Sequence, residues 1–188
     1  MKPRLNGLLE KLQSNLDEDD ILVKVAAKVR RISLNQLLPF LRRTLKEEKT
    51  ETRRIGAILA LGALGGEALP ALPEMMSALE DENAKVREYA AKNIGSVLIF
   101  SQTEGAHPEV IELLRRRLFD VEVKVQKEAI RSLGWMGAVA GIAAPDIVQK
   151  LRDSDKDLVR EAIDCLGRIG PSAADAADAI LGHHVHTR

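Results

Sequence analysis

The sequence predicts an all-α chain built as a solenoid, with about five antiparallel helix pairs stacked in order and one terminal helix. Three observations predict it. The stretch KVREYAAKNIG (85–95) returns as KVQKEAIRSLG (124–134) and again as DLVREAIDCLG (157–167). In each copy a central alanine (Ala90, Ala129, Ala162) has an aliphatic residue four positions before it (Val86, Val125, Leu158). Four positions after it come Ile94, Leu133 and Leu166, each followed by a glycine, Gly95, Gly134 and Gly167. Spacing of four keeps these residues on one helix face, and the glycine marks where the helix nears its end. The second observation is the period. Anchor alanines at 26, 57, 90, 129 and 162 are separated by 31, 33, 39 and 33 residues, which is solenoid spacing. The third is composition: 188 residues with 3% aromatics and 30% charged side chains suit helices with small and aliphatic cores.

Taken in order, the first pair (4–32) is the most degenerate, held by Leu22 and Ala26 in ILVKVAAKVRR. Terminal repeats drift because one side faces water. The second pair (34–66) joins LPFLRRTL to TRRIGAILALG, where Ala57, Leu61 and Gly62 keep the pattern and Arg53 takes the aliphatic position. The third (68–99) joins LPEMMSAL to the first quoted helix, and the fifth (143–169) joins APDIVQKL to the last. In these three, a proline stands six residues before a leucine: Pro39 and Leu45, Pro73 and Leu79, Pro145 and Leu151. Proline suits a helix's first turn, where its missing N–H would be unpaired anyway. The fourth pair (107–137) runs ten residues from Pro108 to Leu118 and follows the longer loop FSQTEGAHP. Acidic turns (EDEN, DVEV, DSDKD) precede the second helices and are expected to cap them. A terminal helix (172–182) and a tail (183–188) complete a chain read as one repeat domain over 1–182.

The pattern VRxxAxxxLGxxG resembles the HEAT-repeat family, in particular the PBS-lyase-like HEAT repeats, over about residues 20–181. LVREAIDCLGRIG is the nearest copy; those carrying Arg53 and Leu22 match less well. The resemblance implies a right-handed superhelix with the second helices lining its concave side. It implies less about activity, since the family's functions vary more than its fold.

On that implied concave side, a helical wheel sets a ladder opposite the buried stripe: Lys24 and Lys28, Ile55 and Leu59, Glu88 and Lys92, Lys127 and Arg131, Arg160 and Asp164. Arg31 extends it. The chain has 28 basic and 28 acidic residues, so a mostly basic ladder is a local bias. A positive groove would attract an acidic protein segment or a phosphate backbone, whereas charges on any solvent face are ordinary. RRIGAILALGAL is apolar nearly all round. Ile55 and Leu59 are therefore either covered by neighbouring helices or an exposed docking spot. Trp135, the single tryptophan, ends a second helix and suits packing or anchoring. Arg115, Arg116 and Arg117 read as a solvated face beside Ile111, Leu114 and Leu118.

Catalytic readings find little support. Deoxyhypusine hydroxylases resemble this architecture but use repeated His-Glu dipeptides as iron ligands, and this sequence has none. HEAT-fold alkylpurine glycosylases use aromatics in a basic groove; one Trp, one Tyr and three Phe offer few stacking groups. HHVH (183–186) could ligate a metal but sits in a tail. Cys165, the one cysteine, lies beside the buried stripe without an activating histidine and reads as a buried thiol. No phosphate loop or nucleophile triad is present. With no signal-like h-region and no uninterrupted apolar span, the chain reads as soluble and cytoplasmic. The expectation is a non-catalytic interaction scaffold or adaptor, without metal or cofactor, that binds another protein of acidic character along the groove. Membrane contact is not expected, nucleic acid is disfavoured, and self-association through the solenoid ends is left open. The alternatives are a phycobilin-lyase-like or other tetrapyrrole-handling component and, after it, nucleic-acid backbone binding. Trp135 joins the ladder residues as a candidate contact.

Overall fold

The computed structural model describes residues 33–99 and 107–174. Lys24, Lys28, Arg31, the whole of the first pair, most of the terminal helix and the HHVH tail lie outside them. Two units divide the chain, Met1–Gln102 and Thr103–Arg188. The first holds α1 (Leu34–Glu47), α2 (Glu51–Leu64), a 3₁₀ turn (Gly65–Ala71), α3 (Leu72–Ala78) and α4 (Ala84–Ile99). The second holds α5 (Pro108–Arg117), α6 (Val123–Met136), a 3₁₀ turn (Gly137–Ala143), α7 (Ala144–Gln149), a short 3₁₀ turn (Lys150–Arg152) and α8 (Lys156–Ile169). No strand occurs among the described residues. In the first unit α2 packs on α1 and α4, and in the second α6 packs on α5 and α8. The described helices therefore form an all-α solenoid of stacked pairs.

The stripe seen in the sequence is the core. Ala57, Ala90, Ala129 and Ala162 are fully buried, as are Val86, Val125, Leu158, Leu61, Ile94 and Leu133. Alanine at the anchor lets helices approach closely, while the aliphatics on either side supply about 1.5–3 kcal/mol each on burial. Leu166, the last copy, is only half-buried.

Each repeat builds its turn the same way. Nine residues before the anchor a carboxylate accepts the backbone N–H two residues on: Glu48 from Thr50 (3.2 Å), Asp81 from Asn83 (2.9 Å), Asp120 from Glu122 (3.1 Å) and Asp153 from Asp155 (2.9 Å). In three of these four turns a long side chain three residues before the anchor clamps the turn's carbonyls, and Val159 stands there in the fourth. Arg54 donates to Glu48 and Lys49, Arg87 to Asp81 and Glu82, and Gln126 to Asp120. Side chains of these turns cap the second helix in two of the described repeats, one an amide and one an acid. Asn83 accepts from the N–H groups of Lys85 and Val86, and Asp155 from those of Asp157 and Leu158. In DVEV the side chain of Asp120 serves the turn instead, and Glu122 caps nothing.

The glycines divide their labour differently from the expectation. Gly62, Gly134 and Gly167 lie inside their helices; the residues that end them are Gly65 (φ 56°), Gly137 (φ 62°) and Gly170 (φ 78°). Positive φ is the reason glycine sits at those ends. The inner glycine permits close packing: a Cβ on Gly62 would run into the side chain of Asn93 on α4.

Two other expectations need correction. Pro73, Pro108 and Pro145 open their helices, but Pro39 lies within α1, which starts a turn earlier because the Ser33 carbonyl already accepts from Gln36 and Leu37. Arg115 is not merely solvated: its Nε lies 2.7 Å from Asp146 on α7, as Arg42 on α1 pairs with Glu74 on α3 at 2.9 Å. The longest described helix, α4, has 16 residues, short of the ~20 needed to span a bilayer. The apolar run Glu51–Ala78 is broken at Gly65 and mostly buried within its unit.

Candidate functional site

The predicted ladder separates into parts with different fates. Ile55 and Leu59 are 7% and 4% exposed, so the apolar rung is core and not a docking spot. Neighbouring helices cover α2 on more than one side, and everything from Ile55 to Leu61 is buried. Glu88 and Lys92 are half-buried on α4. Lys127, Arg131, Arg160 and Asp164 all lie on α6 and α8 of the second unit, and there the basic bias disappears. Lys127 Nζ is 3.0 Å from Asp155 and 3.8 Å from Asp157. Arg131 reaches Glu128 at 2.7 Å and Glu161 at 2.6 Å. Arg160 pairs with Asp157 at 3.2 Å, and Asp164 is exposed.

These pairs shift the titrations in the expected directions. Hydrogen bonding to Arg131 holds the Glu161 carboxyl below its ordinary range, and Glu161 in turn raises the guanidinium. Asp155 is held down first by the Leu158 N–H and then by Lys127. Charge-assisted bonds of this kind fix α6 against α8. Their acids stand about 30 residues from their bases, so the ladder read from one helix at a time looked more positive than it is.

Between α6 and α8 lies a shallow cleft of about 220 Å³, lined by Arg131, Gly134, Trp135, Glu161, Asp164, Cys165 and Arg168. Gly134 sets its floor, since a Cβ there would stand 3.2 Å from the Cys165 backbone. Cys165 is 2% exposed, and burial pushes its thiol up to about 12, so it is structural. Trp135 is 40% exposed at the rim. Arg168 is exposed and pairs with no carboxylate among the described residues. It occupies the same repeat position on α8 as Trp135 on α6, six residues after the anchor, and that register was available in the sequence. Glu161 offered no such signal. A second cleft of about 380 Å³, in the first unit, is lined by Leu45, Lys46, Arg54, Pro73, Glu74, Ser77, Ala78 and Asp81 and holds none of the ladder residues. No cluster of His, Cys, Asp or Glu suited to a metal occurs among the described residues.

Stacked helix pairs with a shared turn, an inner packing glycine and a left-handed closing glycine define an α-solenoid of helical repeats. Residues 72–144 match the family of HEAT repeats. The match is to HEAT repeats at large and does not single out the PBS-lyase-like form. Among solved structures, the chain is similar to two engineered proteins, both crystal structures from the Northeast Structural Genomics Consortium. The first has a TM-score of 0.61 at 17% identity, over 95% of this chain and 89% of that one. The second has a TM-score of 0.67 at 20% identity, over 96% of this chain and 54% of that one, so this chain spans about half its length. At such identities the likeness is one of fold. No curated protein matches the chain. HEAT repeats generally mediate protein–protein interaction.

Proposed function

We propose that the chain is a non-catalytic protein-interaction scaffold that docks a partner across α6 and α8, with Trp135 as the anchor and Arg168 receiving an acidic side chain. The observation that carries this is Trp135, 40% exposed on the rim of a cleft where Arg131 and Glu161 already match each other and Arg168 and Asp164 stay open. Tryptophan and arginine are the residue types that most often dominate binding energy. A surface held by internal ion pairs orders little on binding, so the ordering cost falls on the partner. Acidity of the partner enters here through Arg168 alone, because Lys127, Arg131 and Arg160 face acids of their own. The period that runs through both units supports reading 1–182 as one repeat domain, and the buried lone thiol suits the cytoplasm.

The test is capture of partners from the native lysate by wild type, Trp135→Ala and Arg168→Glu, followed by titration of the purified partner while Trp135 fluorescence is read. Loss of capture in both variants and a fluorescence change in wild type support the reading. A partner retained by both variants, or bound without a fluorescence change, overturns it.

A further inference from the structure

The positions that α6 uses to hold α8 are open on α8 itself. On α6, Ile130 is fully buried and a Cβ on Gly134 would meet Cys165 of α8. On either side of them, Lys127 and Arg131 reach Asp155, Asp157 and Glu161. One repeat later the same four positions are Arg160, Ile163, Asp164 and Gly167. Ile163 is 57% exposed, Gly167 has nothing within 4 Å of where its Cβ would stand, and Arg160 and Asp164 are exposed. The first unit gives the same contrast: Ile58, equivalent to Ile163, is fully buried on α2. α8 thus presents a helix-packing face that the described residues do not fill.

We infer that this face pairs with the α8 of a second copy of the chain, the two helices antiparallel about a two-fold axis that crosses the exposed face level with Ala162. The charges select that occupant. Arg160 and Asp164 flank Ala162 symmetrically, two residues to each side. An antiparallel copy sets Arg160 opposite the partner copy's Asp164 and Asp164 opposite its Arg160, with the two Ile163 side chains between them. A parallel copy would set like charges together. The existing Arg160–Asp157 pair, at 3.2 Å on an exposed surface, is weak enough to exchange. Gly167 leaves room for close approach, and a two-fold interface must be complementary to itself in this way. One 14-residue helix is about 21 Å long, so the interface is small and its dissociation constant falls in the range of roughly 0.1 mM. The Trp135 cleft is a separate proposal that shares only Asp164 and helix α8 with this face.

Sedimentation of the full chain over a concentration series reaching about 1 mM reads the pairing. Wild type is expected to shift from monomer to dimer, and Arg160→Glu or Asp164→Arg alone to weaken dimerisation by about a hundredfold. An equimolar mixture of those two variants restores the dimer, because each then supplies the charge the other needs. Trp135→Ala still dimerises, which separates this result from the fate of the scaffold reading. A wild type that stays monomeric throughout overturns the inference. So do single variants that dimerise normally, or a mixture that fails to restore pairing.

Discussion

At the scale of single residues, two glycines in equivalent positions should respond oppositely to the same substitution. A Cβ on Gly62 meets Asn93 Cγ at 2.8 Å and Cβ at 2.9 Å, and Asn93 is itself held by a 2.8 Å bond to the Tyr89 carbonyl. Gly62→Ala should therefore cost about 1–3 kcal/mol through overpacking. Gly167→Ala, in open space inside a helix, should gain about 0.5–1 kcal/mol. Urea denaturation of dilute protein compares the two directly. Cys165 makes a third prediction at this scale. With its thiol pushed up to about 12 and 2% exposed, it should resist iodoacetamide at about pH 8 and react once the chain is unfolded. Burial of Cys165 could be read from its neighbours on one helix. The opposite surroundings of Gly62 and Gly167 could not, since they depend on which helix lies across from each.

The turn that joins the helices of a pair is where local chemistry and stability meet at the element scale. Asp155→Ala should cost about 1 kcal/mol by removing the cap of α8, whereas Glu122→Ala, which caps nothing, should be close to neutral. Glu48 gives the pH dependence. Hydrogen bonds from Arg53 and then from Thr50 lower its carboxyl from 4.5 to about 2. A lowered folded-state pKa contributes stability that is complete above about 4.5 and is lost as pH falls toward about 2. Solvent screening keeps that contribution below about 1 kcal/mol. Arg53→Ala should flatten the acid limb of a stability–pH curve measured by thermal melting. These turns were half legible. The acids and the arginine of VRxxA stood out in the sequence, but that arginine binds the turn's own carbonyls in two repeats, and glutamine takes its place in a third. That position spoke of how a repeat closes, not of what it binds.

For the whole molecule, the period, the anchor alanines and the second helices followed from sequence because each helix records its own buried stripe. The charge of the groove did not, because Lys127 and Arg131 are answered by acids on the following helix. Ile55 and Leu59 likewise could be read either way while α2 stood alone, and neighbouring helices bury them. With 28 bases against 28 acids and Lys127 and Arg131 of α6 matched, the protein should show no measurable retention on a DNA column at about 0.15 M salt. Steep salt-dependent retention would favour nucleic-acid binding instead. The left-handed glycines carry a consequence of a different sort. From Gly137 to Gly170 is one full period, and each closes its helix at positive φ, 62° and 78°. A gene segment copied between two such points would add a crossover with its own glycine, turn acid and anchor in phase. The array can therefore grow or shrink by whole cassettes in a single recombination event, and the longer stretch FSQTEGAHP marks where the sequence departs from that rule.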